Sequence, residues 1–371
     1  PSQPDECGED RGSGREETAS ALAGPGSSGS VPREILSGGF EDAVPGYGGS
    51  ESGEALEELD NVTAEALHVA DVIKANVGRL IYDSNSKYGT NNAYVLTNST
   101  EGWGYTFNYT VKAEPVRNLK LMASYTHTES KEISGMPGSA ASSAYTGLAS
   151  VNGPNFLTLQ RSQYVVPDKI AADISYYIDL IGGLQLDLYY TGYSAYGNSF
   201  TYSNDMNGDG IGYDLMYIPA TKDEIAFTSE ADRDAFWAFV QQDSYLSKHL
   251  GEYAEANAAR APFVHRFDLR VAKDIKFRIG STSHKFQISA SIDNIGNMLN
   301  SKWGVRQLAY NQSSGTGFIS PLKYEGVNAS GVPSFSFNKV DGAYPTKTYT
   351  NYYKNTSECW QLLLGLKYFF N

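Results

Sequence analysis

The stretch that decides the fold is Trp103-Gly-Tyr-Thr-Phe-Asn-Tyr-Thr-Val-Lys-Ala113. Every second residue, from Trp103 to Ala113, is aromatic or aliphatic, and the residues between them are small, polar or charged. Successive side chains of a β-strand point to opposite faces, whereas an amphipathic helix repeats its apolar residues every 3.6 positions. The stretch therefore predicts a β-strand with one apolar and one polar face.

The same alternation recurs along the chain. The clearest further examples are at 119–126, 170–178, 184–190, 266–271, 286–292 and 360–370. We count about eight strands and predict an all-β, antiparallel fold. The ten steps from Trp360 to Phe370 make about 33 Å of strand, which a tilt near 45° reduces to about 24 Å. That span is close to the apolar band of about 25 Å on an outer-membrane barrel.

The connections between these strands alternate between short and long. Short ones fall at 114–118, 179–183 and roughly 276–283, and long ones at 131–165, 197–261 and 298–357. Outer-membrane β-barrels have short periplasmic turns and long extracellular loops in this order. Long structureless loops are uncommon in a compact soluble domain. The pattern predicts a transmembrane β-barrel whose long loops are extracellular.

Composition divides the chain into two parts. Residues 1–60 contain 14 acidic and 3 basic residues, against 28 acidic and 26 basic residues in the remaining 311. We predict that residues 1–78 are an acidic, Gly/Ser-rich segment that is disordered or foreign to the fold, and that residues 79–371 form the barrel part. No run of 18 apolar residues occurs, which excludes a helical membrane protein.

The sequence carries no signature of catalysis. Its two cysteines, Cys7 and Cys359, lie near opposite ends of the chain and predict neither a disulfide framework nor a zinc site. The five histidines show no metal-ligand spacing, and no paired acid and base can be identified. We therefore expect no enzymatic activity and no nucleic-acid partner.

Several segments from about Arg79 to Asn371 resemble one protein family. They are Thr126-His-Thr-Glu-Ser-Lys-Glu-Ile-Ser-Gly-Met-Pro-Gly138, Arg161-Ser-Gln-Tyr-Val-Val-Pro167, Asn204-Asp-Met-Asn-Gly-Asp-Gly210 with Asp214-Leu-Met-Tyr-Ile-Pro219, Arg260-Ala-Pro-Phe-Val-His-Arg-Phe-Asp268, and Asp293-Asn-Ile-Gly-Asn297 before Trp303-Gly304. In order and spacing they resemble the C-terminal barrel of a TonB-dependent outer-membrane receptor, of the Oar-like branch in Bacteroidetes.

The resemblance implies a 22-stranded barrel in the bacterial outer membrane, of which this chain supplies the last eight strands. It also implies an N-terminal plug and a TonB box, neither of which is visible in residues 1–78. Transport of an unidentified ligand would be driven by TonB through that missing plug, and the three long loops would gate entry. The implied partners are outer-membrane lipid and the barrel-assembly machinery.

The C-terminus resembles the assembly signal of such barrels. Gly365, Tyr368 and Phe370 follow its Gly-x-x-aromatic-x-aromatic pattern, although Leu363 replaces the polar residue usual two positions before the glycine. The alternative is an amphipathic edge strand that ends in aromatic residues by chance.

Oxygen-bearing side chains alternate in the segment 205–214. Asp205, Asn207 and Asp209 precede a glycine at the sixth position, and Asp214 follows. This is the arrangement of a calcium loop, but the twelfth position is Met216 rather than a bidentate glutamate. The sequence thus predicts either a Ca²⁺ site or a turn held by its own side-chain hydrogen bonds.

A loop helix is predicted to begin at Ser229-Glu-Ala-Asp232. Its aromatic residues Phe236, Trp237 and Phe239 could contact a ligand at the outer mouth of the barrel. The alternative is that they pack against neighbouring loops.

Four charged residues, Arg266, Asp268, Arg270 and Asp293, fall on the polar face of their strands. They could line a conduit or touch the plug, but such residues commonly pair across strands in a wet lumen.

Two other functions fit alternating strands: a passive porin or structural outer-membrane barrel, and a secreted all-β carbohydrate-binding or adhesive protein.

Overall fold

The computed structural model describes residues 98–179, 183–313, 317–329 and 332–370. The chain divides into two units, Pro1–Ala66 and Leu67–Asn371, and all described residues belong to the second. The prediction for residues 1–78 lies outside the described residues. Antiparallel β-sheet dominates the described part, so the expectation of an all-β fold is confirmed.

Seventeen strands and three α-helices occur in the described residues. The strands are β1 (Gly102–Val116), β2 (Leu119–Glu132), β3 (Gln160–Arg161), β4 (Asp168–Ile178), β5 (Leu184–Tyr193), β6 (Gly197–Tyr202), β7 (Tyr217–Ile218), β8 (Ala226–Phe227), β9 (Glu252–Tyr253), β10 (Ala259–Arg260), β11 (Val264–Ile279), β12 (Thr282–Asp293), β13 (Gln307–Ala309), β14 (Phe318–Val327), β15 (Pro333–Phe337), β16 (Tyr349–Tyr352) and β17 (Gln361–Phe370). The helices are α1 (Ala141–Thr146), α2 (Glu230–Gln242) and α3 (Ile295–Leu299). None of these helices is long and apolar enough to cross a membrane.

Seven long strands form one antiparallel sheet in the order β1-β2-β4-β5-β11-β12-β17, and the short β3 pairs with β2. All seven stretches of alternating sequence identified above lie in these seven strands, apart from Trp360, which immediately precedes β17. Neighbours in the sheet are consecutive in the chain apart from the elements inserted in the long connections. Within the described residues, β1 and β17 are each paired on one side only.

The two short connections that the structure describes in full, β1–β2 and β11–β12, are two-residue turns at one end of this sheet. The β1–β2 turn consists of Arg117 and Asn118, and Asn118 has a φ of 72°. Gly280 in the β11–β12 turn has a φ of 59°, and Gly183, before β5, has a φ of 85°. Asn and Gly are the residues that adopt this left-handed conformation at least cost, which explains why turns form here.

One face of the large sheet is mainly apolar across its width, and Lys273 on β11 interrupts it. In the strand register, Ile174 lies opposite Leu188, which is followed across the next strands by Leu269, Ile292 and Leu362. The neighbouring row runs from Tyr176 on β4 to Leu364 on β17 through further aliphatic residues. We call this surface the apolar face.

Aromatic residues border the aliphatic rows of the apolar face at both ends. Near the long connections they are Trp103, Tyr105, Phe107, Tyr109, Tyr125, Tyr190 and Phe267. Near the short turns they are Phe277, Phe286, Tyr368 and Phe370. Several of these rings are in contact: Phe286 and Tyr368 stack with centroids 4.7 Å apart, and Tyr190 and Phe267 are tilted with centroids 4.9 Å apart.

The opposite face, called here the polar face, carries laterally paired side chains. Asp187 accepts hydrogen bonds from Ser175 at 2.7 Å and from Arg270 at 2.9 Å, each on a neighbouring strand. The predicted cross-strand pairing is thereby confirmed for Arg270. Arg266 instead pairs with Asp268 of its own strand at 3.3 Å.

The long connections contain strands and helices, whereas the sequence analysis predicts loops there. Strands β10, β6, β14, β15 and β8 form a second, five-stranded sheet within 197–261 and 298–357. The main core of buried hydrophobic residues lies here, and its largest side chains include Phe200, Tyr202, Phe236, Phe239 and Phe335. Strand β6 is buried along its whole length, so its sequence lacks the alternation of a half-exposed strand.

Candidate ligand-binding site

A cavity of about 370 Å³ lies where the three long connections meet. Its lining comes from the β2–β4, β5–β11 and β12–β17 connections, and the described residues that form it include no aspartate or glutamate. The lining residues are Pro137, Gln163, Tyr164, Ala195, Tyr196, Gly197, Asn198, Asn257, Ala261, Arg306, Gln307, Leu308, Gln312 and Gly317. A concave surface with a few polar groups from separate chain segments is the usual form of a ligand site.

Among the described lining residues, Arg306 alone is charged. Its Nε donates to Glu358 Oε1 at 2.7 Å, and its guanidinium lies 4.4 Å from the ring centroid of Tyr353 and 5.8 Å from that of Tyr196. Burial acts to lower the pKa of Arg306, but the adjacent Glu358 carboxylate outweighs it and raises that pKa. The guanidinium is therefore a fixed cation whose charge is balanced by Glu358.

A buried hydrogen-bond cluster connects this wall of the cavity to the polar face. The backbone N–H of Asn294 donates to Asp268 on β11 at 2.6 Å. The side-chain Nδ2 of Asn294 donates to the carbonyls of Gly304 at 3.1 Å and Glu358 at 2.7 Å. Asn294 is fully buried and has a φ of 52°. It therefore holds both ends of the β12–β17 connection to the large sheet.

The predicted calcium ligands are close in sequence but engage the backbone. Asp205 accepts hydrogen bonds from two N–H groups of its own turn, and Asn207 and Asp209 each accept one from two residues ahead. Asp214 accepts from the N–H of Met206 at 2.7 Å. Across the described ranges, no three His, Cys, Asp or Glu residues are grouped closely enough to hold a metal ion. These bonds have the form of the predicted turn, and calcium binding stays a prediction.

The loop helix begins where the sequence predicts it. The Ser229 side chain accepts from the N–H of Asp232 at 3.1 Å and caps α2. Phe236 and Phe239 are each 1% exposed and pack in the core of the long connections, so in this conformation a ligand cannot reach them. Of the two alternatives, packing is the one observed for these two residues, because they face the second sheet. Trp237 is partly exposed and packs against the same core.

The residues of the proposed assembly signal lie on β17. A Cβ at Gly365 would lie 2.6 Å from Ser289 Oγ on β12, so the glycine permits close approach of the two strands. Tyr368 hydrogen-bonds His284 at 2.6 Å through its hydroxyl, and Phe370 is largely exposed. Their role in assembly stays a prediction.

Sequence reasoning missed the residues that line the cavity. Gln163, Tyr196, Arg306 and Gln307 lie in different connections and belong to no periodic pattern. No protein-family model, curated protein or solved structure matched the chain.

Proposed function

We propose that the chain forms part of the barrel of a TonB-dependent outer-membrane transporter, of the Oar-like type that its sequence resembles. The long connections would face the exterior and receive the ligand. The observation that carries this proposal is the apolar face of the large sheet, which is aliphatic in the middle and aromatic at both ends.

The exposure of this face favours lipid as its environment. Leu362, Leu364 and Leu366 are all more than half exposed and lie side by side on β17. An apolar surface spread over seven strands far exceeds the scattered apolar residues usual on a soluble protein. In a bilayer the same surface gains about 25 cal/mol for each Å² removed from water.

The polar face supports the assignment of an aqueous interior. Its charges are balanced locally, as in the contacts of Asp187 with Arg270 and of Asp274 with Lys285 at 3.5 Å. Ladders of hydroxyl groups, such as Thr106 with Thr128, continue the polar surface across β1 and β2. Alternation between a lipid face and a wet face is the pattern of transmembrane barrel strands.

The edges of the large sheet support further strands. In the described residues, β1 and β17 each leave one side without a strand partner. Unpaired backbone groups cost several kcal/mol each in hydrocarbon, so membrane-spanning sheets close on themselves. We propose that additional strands complete a barrel of the 22-stranded size implied by the resemblance, and that TonB acts through its plug.

Cell fractionation and surface labelling test this function. We expect the chain in the outer-membrane fraction, extracted by detergent and not by salt. An epitope inserted at Gly342, in the β12–β17 connection, should be accessible to antibody on intact cells. The matched control is an epitope at Gly280 in the β11–β12 turn, since both glycines have open space around them.

Gly280 should be labelled only after the outer membrane is permeabilised. Recovery of the chain as a soluble protein in the medium would refute the transporter and favour a secreted carbohydrate-binding or adhesive protein. Equal labelling of both epitopes on intact cells would refute the proposed orientation.

A further inference from the structure

Two side-chain amides at the cavity have no hydrogen-bond partner among the described residues. Gln163 and Gln307 both line it and are half-buried, and within the described residues neither amide group forms a hydrogen bond to the protein. Other lining amides, such as that of Gln312, bond to backbone groups. A primary amide offers a donor and an acceptor in one plane, so it can bond two neighbouring hydroxyl groups of a ligand.

Two tyrosine rings at the same cavity are exposed. Tyr164 is 63% exposed and is anchored by a 2.9 Å bond from its hydroxyl to the carbonyl of Gly135. Tyr196 is 51% exposed, and its ring lies beside the Arg306 guanidinium. Exposed aromatic rings of this kind present a flat apolar surface to a ligand.

The charge at the cavity disfavours an ionic ligand. Arg306 is the single cation of the lining and is already neutralised by Glu358. An anionic chelate or an acidic peptide would have to compete with that carboxylate, and a cation would meet no carboxylate in the lining. The cavity volume of about 370 Å³ also lies near the lower end of the range for small-ligand pockets, roughly 300–1,000 Å³.

We infer that this cavity binds the end of a neutral oligosaccharide. The amides of Gln163 and Gln307 bond its hydroxyl groups, and the rings of Tyr164 and Tyr196 cover the apolar C–H faces of its sugar rings. The inference rests on the proposed function, because it names the ligand class that the exterior connections receive.

The test uses the full chain in detergent and a panel of probes. The neutral probes are cellotetraose, maltotetraose, xylotetraose, mannotetraose and tetra-N-acetylchitotetraose, and the comparison probes are tetragalacturonate and tetra-alanine. Binding is measured by isothermal titration calorimetry. We expect saturable binding of at least one neutral saccharide and none of the charged saccharide or the peptide.

Variants then assign the binding to this cavity. Gln163→Ala and Gln307→Ala should each weaken binding about fivefold to tenfold, as expected for a lost ligand hydrogen bond. Tyr196→Ala should weaken it about tenfold, and Tyr196→Phe, which keeps the ring, should retain most of it. The matched control is Gln241→Ala on the exposed surface of α2, which should leave affinity unchanged.

Failure of the inference is distinguishable from failure of the proposed function. If the chain is found in the outer membrane but binds no neutral saccharide of the panel, or prefers tetra-alanine, the proposed ligand class is wrong and the proposed function stands. Binding that all the cavity variants leave intact overturns the site. Saccharide binding by a chain found to be secreted and soluble would uphold the inference and overturn the transporter.

Discussion

Replacing Leu364 by arginine is expected to destabilise the membrane-inserted chain by about 2–4 kcal/mol, the cost of a basic residue near the bilayer midplane of a β-barrel. Leu364 lies midway along β17 on the apolar face, opposite Ala290 and within an aliphatic row. Its replacement would place a guanidinium in hydrocarbon without a partner. The measurement is the free energy of unfolding in phospholipid vesicles, by denaturant titration.

The adjacent residue supplies a matched control. Leu363 is 69% exposed and Leu364 is 71% exposed, but Leu363 lies on the polar face opposite Ser291. Leu363→Arg should therefore change the unfolding free energy by about 0.5 kcal/mol or less, as for an ordinary exposed site. The two leucines are almost equally exposed in the isolated chain, so only their faces differ. Equal losses of unfolding free energy for the two variants would therefore contradict the assignment of one face to lipid.

Replacing Gly304 by alanine is expected to loosen the attachment of the β12–β17 connection by about 2–4 kcal/mol, through strain and overpacking together. Gly304 has a φ of 66°, and a Cβ there would overlap the side-chain amide of Asn294. Asn294 is buried and holds the carbonyls of Gly304 and Glu358, so it cannot move without losing those bonds. The measurement is hydrogen exchange of the amides in 294–304.

Gly342→Ala separates the two causes. Gly342 has a φ of 81°, but a Cβ added there would have no neighbouring atom within 4 Å. This control should cost only the backbone strain of about 1 kcal/mol. The amides near residue 304 in the Gly304→Ala protein are compared with the amides near residue 342 in the Gly342→Ala protein. If the first set exchanged no faster than the second, the contact of Gly304 with Asn294 would not be what holds this connection.

The sequence predicts the large sheet well because each of its strands has two different environments. The stretch Trp103–Ala113 lies within β1, and the last alternating stretch begins one residue before β17 and ends with it, since one polar face and one apolar face give a period of two. The short turns could also be predicted, because residues such as Asn118 and Gly280 adopt positive φ. Local patterns are sufficient for these features.

The second sheet and the cavity could not be predicted in this way. Strand β6 is buried on both faces and pairs in parallel with β14, which lies more than 100 residues further along the chain. Gln163, Tyr196 and Gln307 come together only when the three connections fold against one another. The alternation of apolar and polar residues within one segment carries no information about contacts between distant segments. The aromatic cluster Phe236, Trp237 and Phe239 was visible, but its burial depends on the same distant strands.

The most direct test of the proposed lipid-facing surface is a nitroxide scan of β17 in phospholipid vesicles, with Cys7 and Cys359 replaced by serine. Labels at Leu362, Leu364 and Leu366 should be more accessible to dissolved oxygen, which concentrates in lipid. Labels at Leu363 and Lys367 should be more accessible to a water-soluble nickel chelate. This alternation with a period of two is the result we expect. Uniform access of the nickel chelate to all five positions would contradict a membrane-spanning sheet.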